Sequence, residues 1–310
     1  MIHEFALDPN AISDWQSFRF FIDQFGSSKG RLISRFPKKW KRMVYEALVE
    51  KKPTDLDRSR IEERLKNIDD RLLSGARVYE PELTWIANAV NQHSVKPFRA
   101  IITVDSSSEP HQITAQDVDE TNSNWNVPTN ISVVRTAEAM ATAVGPLLEI
   151  SSEIIFVDPY FDPEKRRFRR PLEKFIEHAY ASQRDVKRIE VHFKDHENSP
   201  FFDNAFKGRC DNRLSPLLPD GMELRLVRWR QRNGGKLFHD RYILTNIGCL
   251  LFPTGLDDDD GDGGQQATIN LLTSELHAEL WNDFQMYEDL SLCSYEFDNE
   301  HLVVGTRVNH

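Results

Sequence analysis

Hydrophobic and polar positions change rhythm midway along this chain. In the first part apolar residues recur mostly at helical spacing. A short strand is expected at residues 3–8, with a turn and helix entry at Asp8-Pro9-Asn10. Trp15, Phe18, Phe20, Phe21 and Ile22 mark an amphipathic helix over residues 12–24, which Gly26-Ser27-Ser28 breaks. Residues 31–49 begin basic and continue helical, carrying Trp40, Met43, Val44, Ala47 and Leu48. Pro53-Thr54-Asp55 caps a helix over residues 56–73 whose stripe is Ile61, Leu65, Ile68 and Leu72. Pro81-Glu82 opens another helix through Val90, and residues 97–104 read as a strand. Residues 105–130 are rich in Ser, Asp, Asn and Thr and weakly apolar, so a boundary or exposed connection is expected there.

From there strands and helices alternate. Helices at 137–150, 171–182 and about 201–217 precede strands at 153–157, 188–193 and 223–227 respectively. Two short apolar runs, 242–244 and 249–252, flank Asn246-Ile247-Gly248, the pattern of two buried strands joined by a tight turn. An acidic loop, a strand at 267–272 and a helix from 274 to about 284 follow. This order predicts an α/β fold with a mixed-sheet sandwich over residues 131–310, preceded by a mainly helical region over 1–130. No period of 20–50 residues repeats, which argues against a solenoid.

Composition adds limits rather than an activity. The chain of 310 residues is 39% hydrophobic and 28% charged, ordinary for a globular protein. No run reaches the roughly 18 apolar residues of a membrane span, and Met1-Ile2-His3-Glu4-Phe5 lacks a signal pattern. Three scattered cysteines (Cys210, Cys249, Cys293) argue against a disulfide framework or a Cys-rich zinc site, and a reducing cytoplasm is the expected compartment. The formal net charge is −10, yet basic residues cluster at 28–42, 165–170 and 225–241, against one acidic run, Asp257–Asp260 with Asp262. Local basic patches on an acidic protein suit a polyanion bound at one place; for any single run an ordinary solvated face is the better reading.

His239 and Arg241 sit two apart before the strand at 242, which puts both side chains on one face. A nucleophile or proton-transfer group beside a fixed cation is what phosphodiester chemistry needs, although a His–Arg pair also fits a solvated strand end. Together with Asn246 and Pro253-Thr254-Gly255, this stretch resembles the phospholipase D superfamily, whose signature is His-x-Lys-x4-Asp followed by a small-residue strand end. The strand ending Phe156-Val157-Asp158-Pro159-Tyr160-Phe161 resembles the family's first strand, and the likeness covers roughly residues 131–290. Two positions depart from the signature: Arg241 stands for Lys and Asn246 for Asp. Arg keeps the charge and binds phosphate bidentately, while Asn offers no charge to an imidazolium.

The resemblance implies a phospholipase D-like domain and metal-independent hydrolysis, with no cofactor. One His attacks phosphorus to form a phosphohistidine, a second protonates the leaving oxygen, and water resolves the intermediate. Single-motif relatives pair two copies, so a homodimer with His239 and Arg241 of both chains facing each other is expected. Arg241 would bind a phosphate oxygen, and Asn246 and Thr254 would position the group. Asp158 and Tyr160 are further candidates, because sites of α/β sheets gather at strand carboxyl ends; Asp158 before Pro159 also fits a strand-to-turn cap. Arg230, Arg232 and Lys236 supply candidate substrate contacts beside the motif.

The leading expectation is thus a nuclease acting on DNA or RNA; no amphipathic membrane anchor favours lipid. The alternative is a degenerate relative that binds nucleic acid or a protein partner, with the N-terminal region as interaction module and, by analogy alone, antiviral defence as a setting. Trp40 and Trp229 could stack bases, but read first as core. His192, Asp195 and His196 lack a second cluster for metal ligation and read as a solvated strand exit. Residues 257–264 lack the ligand spacing of a calcium loop and read as a flexible loop gating the nearby site. Gly234-Gly235 gives backbone mobility or a hairpin turn. No Walker loop, Rossmann fingerprint or nucleophile elbow is present.

Overall fold

The computed structural model describes residues 1–75, 77–181, 186–195, 203–260, 264–285 and 296–305, the last from 296 to 301 by backbone alone. His196, Asp262 and Cys293 lie outside the described residues. The chain divides into two compact units, Met1–Thr129 and Asn130–His310.

The first unit is built on a parallel sheet. Its strands are β1 (His3–Leu7), β2 (Arg31–Ser34), β3 (Leu72–Leu73), β4 (Ile101–Thr103) and β5 (Gln112–Thr114). They lie in the order β3-β2-β1-β4-β5, and every neighbouring pair runs parallel. Four helices connect them: α1 (Trp15–Gln24), α2 (Trp40–Glu50), α3 (Asp55–Lys66) and α4 (Trp85–Val95). Asp14, Thr54 and Thr84 cap α1, α3 and α4 by accepting from the third residue on.

A mainly helical N-terminal region is therefore corrected to an α/β unit. The missed strands β2, β3 and β5 are only two to four residues long, too short to show a period, and β2 is buried throughout. All four residues of β2 are buried, Arg31 included. Its guanidinium lies 4.3 Å over the Trp125 ring and its Nε donates to the Trp125 carbonyl at 3.1 Å. Trp40 is fully buried and donates from Nε1 to the Leu7 carbonyl at 2.7 Å, so it anchors the core and is no base-stacking platform.

Among the described residues the second unit holds eight strands: β6 (Asn130–Val134), β7 (Glu153–Val157), β8 (Arg188–Lys194), β9 (Glu223–Arg230), β10 (Tyr242–Thr245), β11 (Cys249–Leu251), β12 (Gln266–Leu271) and β13 (Glu296–Gly305). Their order is β13-β9-β8-β7-β10-β11-β12-β6. β7, β8 and β9 run parallel, and the other pairings are antiparallel. The helices are α5 (Ala137–Leu148), α6 (Arg166–Ala181), α7 (Asn204–Leu214) and α8 (Ser274–Gln285). Alternation along β7 sets the layers. Phe156 stacks on Phe175 of α6 at 5.5 Å, whereas Ile155 and Val157 join Trp229, Leu244 and Phe284 of α8. Helices thus cover both faces of a mixed sheet. Among the described residues no helix is long and apolar enough to cross a membrane.

Candidate functional site

Strand direction in the second unit gathers four chain segments at one sheet edge. β10 is antiparallel to β7, with Tyr242 opposite Val157, so the start of β10 meets the carboxyl end of β7. β11 returns antiparallel to β10, and Phe252 N–H donates to the Arg241 carbonyl at 2.8 Å. β12 pairs with β11 and β6 with β12, which brings the end of β6 to the same edge. The result is a hollow of about 230 Å³ lined by Arg135, Asp158, Tyr160, Arg167, Phe168, Arg241, Thr254 and Asp257. Thus Asp158, Tyr160, Arg241 and Thr254 of the sequence candidates come together. Arg135, Arg167, Phe168 and Asp257 join them from segments that carried no motif.

Arg241, like Arg167, has a buried Nε without a hydrogen-bond partner. Arg241 Nη1 reaches the Pro253 carbonyl only at 3.4 Å, and the Arg241 guanidinium lies 4.9 Å from the Tyr160 ring centre. A buried guanidinium N–H without an acceptor is costly, and a ligand oxygen would relieve it. Arg135 and Arg167 are engaged by Asp257. Arg135 Nη2 bonds its Oδ1, and Arg167 Nε stands 3.4 Å from its Oδ2.

Asp158 lies beneath them, 2% exposed. Its Oδ1 accepts from Tyr160 N–H at 2.9 Å and its Oδ2 from Leu256 N–H at 3.2 Å. Burial pushes its pKa up to about 6; the two N–H bonds and Arg241 oppose the rise, and Asp257 adds to it. Both oxygens given to backbone mark it as the bolt that ties the loop after β11 to β7. His239 stands on the rim, outside the lining. Its side chain is 54% exposed, with Nδ1 3.6 Å from Asp240 Oδ1. Its ring meets Tyr160 edge-on at 6.3 Å between centroids, so Tyr160 lies between His239 and the Arg241 guanidinium as a shared aromatic contact.

Other sequence candidates fall elsewhere. Asn246 follows β10 at the opposite sheet end, where its Oδ1 accepts from Ser152 and Glu153 N–H at 2.9 and 3.1 Å. It secures the start of β7 and touches nothing in the hollow, because antiparallel pairing carries residue 246 away from residue 241. Lys236 bonds Glu279 and Asp283 of α8. Burial lowers its pKa, but the two carboxylates outweigh that and raise it to about 12. Arg230 pairs with Asp195 at 3.6 Å. Arg232 lies in the turn before the motif, where its carbonyl accepts from Gly235 N–H, and is not on the lining. Several cations of the basic stretches form ion pairs within the chain: Lys41 with Asp69, Arg42 with Glu46, Arg170 with Asp258 and Arg225 with Glu190.

His192 is also corrected, from a solvated strand exit to a fully buried mid-strand residue. Trp229 Nε1 donates to its Nδ1 at 2.8 Å, so Nε2 carries the proton and donates to Glu190 at 2.9 Å. Trp229 is itself completely buried and unavailable to a base. Among the described residues no group of three or more His, Cys, Asp or Glu could hold a metal ion.

No family model and no curated protein matches the chain. Among solved structures it is similar to Nuc, a phospholipase D family member from Salmonella typhimurium. That likeness has 9% identity and a TM-score of 0.33, over 55% of this chain and 98% of that one. A likeness of this extent assigns neither family nor activity.

Proposed function

We propose that the second unit is a phosphodiesterase, most simply a nuclease, whose hollow seats one phosphate group. The supporting observation is the guanidinium cluster of Arg135, Arg167 and Arg241 with Thr254 at one sheet edge, where Arg241 Nε is buried and lacks an acceptor. A phosphate oxygen supplies that acceptor, and the planar fork of arginine matches phosphate geometry. His239 at the rim is the nucleophile. Its ring nitrogen bonds phosphorus as the bond to the leaving oxygen breaks, and a proton goes to that oxygen. Water then attacks phosphorus, cleaves the nitrogen–phosphorus bond and restores the imidazole. The proton donor is the His239 of a second copy, which makes the working unit a homodimer. Nucleic acid is the proposed substrate.

A second reading, binding without turnover, draws support from one feature: His239 is half exposed, and among the described residues none is hydrogen-bonded to its ring, Asp240 Oδ1 standing 3.6 Å from Nδ1. One experiment separates the two. Labelled single- and double-stranded DNA and RNA are incubated in EDTA with wild type and His239→Ala. Cleavage by wild type and none by His239→Ala supports the phosphodiesterase. Cleavage that survives the substitution removes His239 as nucleophile. Salt-sensitive retention of the nucleic acid with no cleavage by either supports the binding reading.

A further inference from the structure

Two charge runs that look unrelated in sequence meet at the hollow. The loop after β11 carries Asp257 and Asp258, and the first two turns of α6 carry Arg167 and Arg170. Asp257 spans Arg135 and Arg167, while Asp258 pairs with Arg170 Nε at 3.0 Å. The backbone is tied as well. Asp258 N–H donates to the Arg167 carbonyl at 3.0 Å, and Asp259 N–H to the Arg135 carbonyl at 3.1 Å. Pro171 makes the first bond available: it has no N–H to give the carbonyl four residues back, that of Arg167.

We propose that Asp257 is a resident counter-anion of the arginine hollow, which an incoming anionic group must displace to gain Arg135 and Arg167. The proposal rests on reading the hollow as an anion site. Three guanidiniums face two carboxylates on the lining. Asp158 cannot leave, since both its oxygens are held by backbone N–H. Asp257 can. The strap is anchored by its backbone and by Asp258, so the Asp257 carboxylate needs only to rotate. Arg135 Nε still holds the Asp257 carbonyl, at 3.1 Å, when the side chain turns away. Gly255 allows the loop to close this tightly. Its φ is +115°, and a Cβ there would run into Asp257 Oδ1 and stand 3.1 Å from Arg135 Nη2. Binding is then an exchange of one anion for another at Arg135 and Arg167, which the free protein keeps paired with Asp257, and the site selects groups that outbid a carboxylate in charge and acceptor number, as phosphate does.

The test is calorimetric titration of the full chain with inorganic phosphate at one low ionic strength, alongside circular dichroism and thermal melting. Asp257→Asn should bind phosphate about tenfold tighter than wild type, the scale of losing a charge-assisted competitor. Asp258→Asn, off the lining, should stay within about twofold, which separates charge removal from loosening of the strap. Arg241→Gln should bind about tenfold more weakly. A folded Asp257→Asn that binds no tighter overturns the counter-anion and leaves Asp257 a simple brace. Undiminished binding by Arg241→Gln overturns the anion site and the proposal with it. Asp257→Ser serves in the same comparison if the Asn variant does not fold.

Discussion

Arg241 and Lys236 are neighbours in sequence with opposite fates. Both are cations beside His239, yet Lys236 is held by Glu279 and Asp283 while Arg241 keeps an unpartnered buried Nε. Lys236→Gln should therefore leave phosphate affinity within about twofold but lower the melting temperature, because Glu279 is exposed whereas the buried Asp283 loses its cation. A tenfold loss of phosphate binding in that variant would put Lys236 back among the ligands. Arg241 was readable because a motif pointed to it. Arg135 was not: it ends a strand that the polar stretch before it concealed. Arg167 and Asp257 were visible only as members of charge runs, and sequence spacing does not say which member of a run turns inward.

At the scale of elements, antiparallel pairing of β10 with β7 decides what Asn246 does. Two backbone N–H groups at the start of β7 depend on its Oδ1. Both bonds lie within reach of water, so Asn246→Ala should cost only about 1 kcal/mol in denaturant unfolding, with phosphate binding unchanged. Impaired binding in a variant of wild-type stability would contradict that placement. Asp158 makes the corresponding bolt at the other end, with a titration attached. Its folded pKa, about 6, lies above the usual 3.8, so the folded chain holds this proton more tightly than the unfolded one. The contribution is fully present below pH 4 and is lost as pH rises through about 6, a change of about 3 kcal/mol at 1.36 kcal/mol per unit. His192, whose pKa burial lowers, works the other way and weakens the fold as pH falls below its ordinary value near 6.5. Comparing unfolding free energies of wild type and Asp158→Asn from pH 4 to 7 isolates the first slope. The variant should gain on wild type as pH rises, and a pH-independent difference would show that Asp158 titrates normally.

For the whole molecule, every residue on the lining belongs to the second unit, from Arg135 to Asp257. A fragment of residues 130–310 should accordingly show cooperative unfolding and bind inorganic phosphate within about threefold of the full chain, because the ligand contacts are local. Failure of the folded fragment to bind would mean that the first unit completes the site. The first unit, an all-parallel sheet with its own core of Phe5, Phe21, Phe25 and Trp125, has stability devices of its own. The Glu4–Arg77 pair is one, with both side chains 7% exposed and 2.7 Å apart. Glu4→Gln should destabilise that unit by about 1–3 kcal/mol, since the guanidinium loses its carboxylate but keeps the Gln92 and Lys96 carbonyls.

What the sequence determined by itself was the alternation of strands and helices after residue 130, and it pointed to the stretch around His239, Arg241 and Thr254 as a candidate. Local patterns encode these, because burial imposes period and turns impose residue type. Only the tertiary structure decided that the first 129 residues form a parallel α/β unit, since strands as short as β2, β3 and β5 carry too few positions to show a period. Only it decided which charges remain for a ligand. Ion pairing joins residues far apart in sequence, so Asp257 and Asp258 find Arg135, Arg167 and Arg170 through strand order alone, and a run of arginines becomes a pocket or a brace according to which carboxylates fold back onto it.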